Sequence, residues 1–380
     1  MIRSLEYGGA ERQLVALTRG LHGRSHRVRV LVFYAGGPLD AGLRAAGVPV
    51  TVLGKRGRWD LVGFLRRFAA ALREERAEIV HGYLGGPNIL ASLFRPLHRA
   101  KAVWGIRASE MVLSNYNWLS RVEAAVEPRL ARTASLVIAN SHAGRADAVA
   151  QGFPARTMVV IPNGVDVDRF RPDPEGRARV RAEFGIGDGQ PLIGRVGRLD
   201  PQKDYPAFLR MAAAILPSRP DARFLCVGAG PAEALAALRS LAVELGVADA
   251  VIWAGARDDM AAVYGACDVT VSSSAFGEGT PNVVAESMAC GVPCVVTDVG
   301  DSAAVVADPA MVAAKGDVDA LAAIVLATLD RRERDGIDGA ALRASVIARL
   351  SMEALITRTE RALEPLLAAK GRRETAEARS

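Results

Sequence analysis

Residues 276–298 read FGEGTPNVVAESMACGVPCVVTD, a loop of small residues running into a short helix and then into a β-branched strand. A helix is expected over 282–289, since Pro281 stands where a first turn tolerates it and Gly291 with Pro293 ends it before PCVVT. Two carboxylates, Glu278 and Glu286, stand eight positions apart around the start of that helix. Unpaired amides and the dipole of a helix N-terminus attract phosphate or a polar sugar oxygen. Gly279, Thr280, Pro281 and Asn282 would let such a ligand approach the backbone. Glu278 precedes the loop, over the same place, and Glu286 is set to accept hydrogen bonds from the paired hydroxyls of a ribose. The competing reading makes both glutamates solvent-facing.

Outward from this stretch, short β-branched runs alternate with longer helical patterns, the signature of parallel α/β sheets. The first half offers VRVLVF, VPVTVL, EIVHGY, AVWGI, SLVIAN and TMVVIP, and the second PLIGRVG, ARFLCVG, AVIWAG, DVTVSS and PCVVT. Trp59, Leu61, Val62, Leu65, Phe68 and Leu72 recur at helical spacing and are expected to form a stripe packed on a sheet. IPNGVDVDRFRPDPEG, rich in Pro, Gly, Asn and Asp, is the expected hinge around residues 162–175. At 380 residues the chain is long enough for two cores,. The expected division is therefore 1–165 and 166–350, two α/β domains, then a helix over 351–368 and a disordered polar tail over 369–380.

A second cluster is GRVGRLDPQKD, where a strand runs into a loop bearing Arg198 and Lys203. Arginine forks two phosphate oxygens and lysine supplies a point charge, a pairing suited to a diphosphate, although surface ion-pair residues would look similar. A third is the glycine pair Gly8-Gly9 opening a helix, whose N-terminus a further phosphate could approach. Only MIRSLEY precedes it, barely a strand, so a few residues of a first strand are expected to be missing. GAGPAE after FLCVG lacks the third glycine of a dinucleotide fingerprint, which weakens that reading.

Composition narrows the classes further. The net charge of +6 and pI near 9.4 suit anionic partners in general,. The arginines are scattered along helix-like segments without interleaved aromatics, which argues against nucleic acid. Apolar runs fall short of the ~20 residues that span a bilayer, and the start does not read as a secretory signal. A cytoplasmic protein is expected, with peripheral docking on an anionic membrane through the amphipathic stretches 59–76 and 89–101 as an additional reading. The four cysteines, Cys226, Cys267, Cys290 and Cys294, read as reduced packing residues and not as a zinc site,.

EGTPNVVAESMACGVP with its Glu-x7-Glu spacing, GRLDPQKD, the early GGAER and the linker IPNGVDVDRF together resemble the family-4 retaining glycosyltransferases of GT-B architecture. The likeness covers nearly the whole chain in the expected order. It implies two Rossmann-like domains with parallel sheets facing an interdomain cleft, and a final helix crossing back to the N-terminal domain. A nucleotide diphosphate sugar would bind mainly to the C-terminal domain, and a glycan or lipid-linked acceptor to the N-terminal one. By the family's pattern Glu286 would hold the ribose and Glu278 the hydroxyls of the transferred sugar. Arg198 and Lys203 would neutralise the diphosphate, with backbone amides near Gly9 and from Gly279 to Asn282 contacting phosphate and sugar. The anomeric configuration would be kept, and neither a metal nor a further cofactor is expected. Cell-envelope or exopolysaccharide assembly is the implied setting. The chain departs from many relatives after AVWGI, where Arg107-Ala108-Ser109 stands in place of a histidine, so Arg107 is a candidate for donor or acceptor contact. His81 and His142 border the same region. The rival readings are a sugar-nucleotide epimerase or phosphorylase of the same shape, and a binding subunit that has lost turnover.

Overall fold

The computed structural model describes residues 1–57, 59–107 and 118–377. The chain divides into two compact units, Met1–Gly164 with Met352–Ser380, and Val165–Ser351.

The first unit carries β1 (Val30–Val32), β2 (Val50–Val52), β3 (Ile79–Tyr83), β4 (Lys101–Ile106), β5 (Leu136–Ala139) and β6 (Met158–Val160). β1 pairs with β2, and β3 to β6 form a run of four, all parallel. Residues 1–3 lie between the two runs. The Ile2 amide donates to the Leu31 carbonyl at 3.1 Å and the Tyr83 amide to the Met1 carbonyl at 2.9 Å. The Met1 amine donates to the His81 carbonyl at 2.6 Å. Three residues thus act as a strand joining both neighbours, which the short stretch before Gly8 scarcely announces. Pairing on two sides and burial of Ile2 and Leu5 replace a long β-branched run. Loss of water around the Met1 amine lowers its pKa to about 5,.

The helix Leu61–Glu75 buries Phe64, Phe68, Ala71 and Leu72. The expected stripe is corrected at its start: Trp59 is 91% exposed, and Leu61 and Val62 also face solvent. The helix begins only at Leu61, so Trp59 precedes its first turn, and Phe64, not Leu61 or Val62, falls on the Phe68 face. The last helix, Met352–Glu377, packs on the helix Gly9–Gly23. Ile356 fills the space beside Gly20, and Arg24 pairs with Glu353 and Glu360. The expected disorder from 369 onward is also corrected. The backbone stays helical to Glu377, in keeping with a run rich in the helix formers Ala, Lys, Arg and Glu,; residues 378–380 lie outside the described residues.

The second unit carries β7 (Leu192–Val196), β8 (Arg223–Val227), β9 (Val251–Gly255), β10 (Val269–Ser272), β11 (Cys294–Thr297) and β12 (Val312–Ala313). They form one parallel sheet in the order β12-β11-β10-β7-β8-β9. In sequence order this is 3-2-1-4-5-6, the doubly wound arrangement, whose direction reverses between β7 and β10. Ligands of such sheets bind outside the carboxyl ends of the strands at that reversal. Asp268, which the sequence did not mark, ties the opposite ends together. It accepts from Arg177 at 2.7 Å, Arg181 at 3.3 Å and the Leu192 amide at 2.8 Å, and pairs with Arg332 at 3.1 Å.

The cysteines are free and buried in this unit. Burial pushes Cys267 and Cys290 up to about 12 and Cys294 to about 11. An aromatic disulfide reagent at pH 8 should therefore titrate none of them in the native chain and all four in denaturant,.

Candidate functional site

The carboxyl end of β7 leads through Gly197 and Arg198 into the turn Pro201–Lys203, and that of β10 leads through Ser273 and Ser274 to Glu278. Both loops thus start at the reversal point, and Lys203 and Glu278 meet there. Lys203 Nζ donates to Glu278 Oε1 at 2.5 Å, with only 15% and 7% of the two side chains exposed. Ser274 Oγ donates to the same oxygen at 2.7 Å. The sequence assigned Lys203 to the diphosphate and Glu278 to the sugar as separate tasks. The structure instead pairs them, so their charges offset.

The loop around Glu278 is held on several sides. Gln202 Nε2 donates to the Gly277 carbonyl at 2.8 Å, and Thr297 Oγ1 to the Ser274 carbonyl at 2.7 Å. The Asp301 amide donates to the Gly279 carbonyl at 3.1 Å. Gly300, with φ +60°, lies against the Glu278 carbonyl, where a Cβ would come within 2.0 Å of the oxygen. Thr280 and Pro281 are buried, and the helix Asn282–Ala289 follows as expected. Glu286, one turn in and 7% exposed, accepts from Tyr264 Oη at 2.8 Å. Tyr264 packs edge-on against Phe170 with ring centres 6.0 Å apart, which fixes the direction of that donor. Tyr264→Phe keeps the ring and removes the hydroxyl, so it should lower stability by ~1 kcal/mol, which urea unfolding reads.

Arg198 is 70% exposed, and its 3.9 Å approach to Asp200 is a loose surface contact,. It stays available to an arriving anion. Tyr264, Ser274, Gln202 and Gly300 carry no sequence signal of their own; they emerge only once the fold brings their separate elements together.

In the first unit the expected residues gather less completely. A Cβ on Gly8 would lie 2.0 Å from Glu11 Oε2, so Glu11's own carboxylate sits over the start of the helix Gly9–Gly23. A phosphate reaching Gly8 and Gly9 would have to displace it. Arg107 lies past the end of β4, its guanidinium 4.3 Å from the Tyr83 ring centre and 3.4 Å from Asn163 Oδ1. His81 lies 4.8 Å, ring to ring, from Tyr83. Burial, then the Arg107 charge, then the terminal amine hold His81 well below the usual histidine range, so the ring is neutral near pH 7. His142 is exposed at the first position of the helix His142–Ala150. Ala108 and Ser109 lie outside the described residues.

The chain thus holds two α/β units of parallel strands, the second doubly wound and bearing acidic and basic side chains at its reversal point. Residues 7–169 match the model of Glycosyltransferase Family 4, and residues 190–331 that of Glycosyl transferases group 1; the chain belongs to the family-4 glycosyltransferases, with the GT-B type of fold. A GDP-mannose-dependent alpha-(1-6)-phosphatidylinositol monomannoside mannosyltransferase of Mycolicibacterium smegmatis is 34% identical over 182 residues, 45% of this chain and 47% of that protein. A D-inositol 3-phosphate glycosyltransferase of Mycobacteroides abscessus is 38% identical over 160 residues, 41% of this chain and 34% of the relative. The matched region spans about half, or less, of these curated relatives. Among solved structures, Anabaena HepE in complex with UDP superposes with a TM-score of 0.84 at 22% identity, covering 96% of this chain and 98% of that one. WaaG, a glycosyltransferase of lipopolysaccharide biosynthesis, gives 0.72 at 18% identity over 95% and 97%. Likeness at that identity speaks for the fold alone.

Proposed function

We propose that the chain is a retaining, metal-independent glycosyltransferase that moves a hexosyl group from a nucleotide diphosphate sugar to a glycan or lipid-linked acceptor in cell-envelope or exopolysaccharide biosynthesis. The observation that carries this reading is the meeting of Lys203, Glu278 and the Glu286 helix at the reversal point of the second sheet. There Glu286, oriented by Tyr264, holds the ribose, and the loop Gly279–Thr280–Pro281 with Asn282 approaches the sugar and phosphate. Lys203 and Arg198 take up the charge that develops on the leaving diphosphate, the task a divalent cation has in other transferases. Glu278, hydrogen-bonded by Ser274 and paired with Lys203, faces the hydroxyls of the transferred sugar. Arg107, Gly8 and Gly9 are assigned to the donor or acceptor side of the first unit.

Slow donor hydrolysis tests the reading without knowledge of the acceptor. With a chelator present, the first sugar released is expected to have the anomeric configuration of the donor, read by proton NMR before mutarotation. Release of the opposite anomer, or a requirement for added magnesium, would refute the retaining, metal-independent form.

Cytoplasmic location with peripheral membrane docking belongs to the same proposal. Among the described residues no helix is long and apolar enough to cross a membrane. Arg73, Arg76, Arg99 and Lys101 outnumber Glu78 in the lining of a cavity of about 390 Å³ that also holds Leu97 and Leu366, a net basic and partly apolar surface that suits an anionic headgroup region. Sedimentation with phosphatidylglycerol vesicles at low salt, lost at high salt, is the expected result; failure to sediment at low salt removes docking from the account.

A further inference from the structure

Arg195 is the second residue of the GRVGR run and lies on β7 with none of its surface exposed. A buried guanidinium ordinarily sits against a carboxylate, because its charge is costly to remove from water. Among the described residues Arg195 forms no ion pair. One terminal nitrogen donates to the Val196 carbonyl at 2.8 Å and the other to the Lys203 carbonyl, while Nε has no partner. Its carbon centre lies 5.2 Å from the middle of the Tyr205 ring. Tyr205 Oη in turn donates to the Gly197 carbonyl at 2.6 Å. The guanidinium therefore spans both ends of the loop 197–203 from beneath. At Gly197 it converges with the Lys203 stem: a Cβ there would lie 3.4 Å from Lys203 Cγ and 3.5 Å from an Arg195 terminal nitrogen.

Counting charge at this place gives an unexpected balance. Lys203 is offset by Glu278, and Arg198 stands in water, where its field is screened,. The buried, uncompensated positive charge is that of Arg195. We infer that Arg195 is a positioning residue of the donor site: it clamps the loop bearing Arg198 and Lys203, and supplies from below a fixed charge whose counter-ion is the diphosphate of the bound nucleotide. The inference rests on the donor-site reading of the second unit. It assigns the diphosphate, not the nucleoside, as the group whose binding depends on Arg195.

Affinities of the intact chain for the nucleoside and its diphosphate, measured by calorimetry on the wild type, Arg195→Met and Arg195→Lys, test it. Arg195→Met is expected to weaken the diphosphate about tenfold, the worth of a unit charge across roughly 10 Å of protein interior, with nucleoside affinity unchanged. Its melting temperature should fall by only a few degrees, since the loss of the two hydrogen bonds to the Val196 and Lys203 carbonyls is largely offset by removal of an unpaired buried charge. In Arg195→Lys the buried ammonium titrates below its ordinary range. Diphosphate affinity relative to wild type should then be near one at pH 6.5 and fall toward the methionine value by pH 9. Unchanged diphosphate affinity in Arg195→Met would overturn the inference, as would an equal loss of nucleoside and diphosphate, which marks a scaffold role only. If the wild type binds no nucleoside diphosphate, the donor-site reading itself fails, and the inference with it.

Discussion

Lys203→Met is expected to destabilise the chain by about 3 kcal/mol and to reduce sugar transfer about a thousandfold. The two losses have different causes. Stability falls because Glu278, buried and 2.5 Å from Nζ, keeps its carboxylate while losing the cation opposite. Breaking one side of a buried pair leaves an uncompensated charge, which costs more than the pair itself contributes. Transfer falls because, in the proposed donor site, the same ammonium takes up charge from the departing diphosphate. A second change separates the causes: Lys203→Met with Glu278→Gln should recover most of the stability in urea unfolding and none of the turnover. A single Lys203→Met variant as stable as the wild type would mean that the pair is not formed in solution.

Gly300→Ala is expected to cost about 3 kcal/mol and to lower transfer about a hundredfold. At φ +60° an L side chain already costs on the order of 1 kcal/mol. The larger part is steric, for the added Cβ would lie 2.0 Å from the Glu278 carbonyl oxygen and 2.7 Å from its carbon. Both are backbone atoms, so relief requires the Glu278 loop itself to move, taking the Lys203 pair with it. Gly291→Ala is the matched comparison. Its φ is +78°, yet the nearest atom to a Cβ is 3.4 Å away on Gly339, so it should lose only about 1 kcal/mol and keep activity within roughly twofold. Melting temperatures and initial rates of the two variants decide the matter; equal behaviour would show that Gly300 matters for its dihedral and not for its contact with Glu278.

Much of the second unit was legible in the sequence because its signals are local. The strands of PLIGRVG, ARFLCVG, AVIWAG, DVTVSS and PCVVT all form, and the helix 282–289 starts and stops where Pro281, Gly291 and Pro293 place it. Glu278, Glu286, Arg198 and Lys203 were named from motif spacing, and the sheet order puts all four at one reversal point. Which of them touch was not legible. The Lys203–Glu278 pair joins positions 75 residues apart, and Tyr264 reaches Glu286 from a helix whose sequence, MAAVYGA, reads as ordinary core. Arg195 lies inside the GRVGR run, but a charged residue on a buried strand has no sequence pattern that distinguishes it from a surface one. In the first unit, residues 1–3 act as a strand through pairing with both neighbours, and Trp59 with Val62 misled because helical spacing does not reveal where the first turn begins. Arg107 stands out in the sequence as a departure from the family's pattern, whereas its stacking on Tyr83 is visible only in the fold.

The central claim is that the second unit holds a nucleoside diphosphate through Glu286 and the Lys203–Glu278 loop. Melting curves with UDP, GDP and ADP, in chelator, on the wild type and Glu286→Gln test it most directly, since a ligand that binds only the folded state raises its stability. One diphosphate should raise the wild-type melting temperature, with the rise lost or strongly reduced in Glu286→Gln. No rise with any of the three, or an equal rise in both proteins, would contradict the claim.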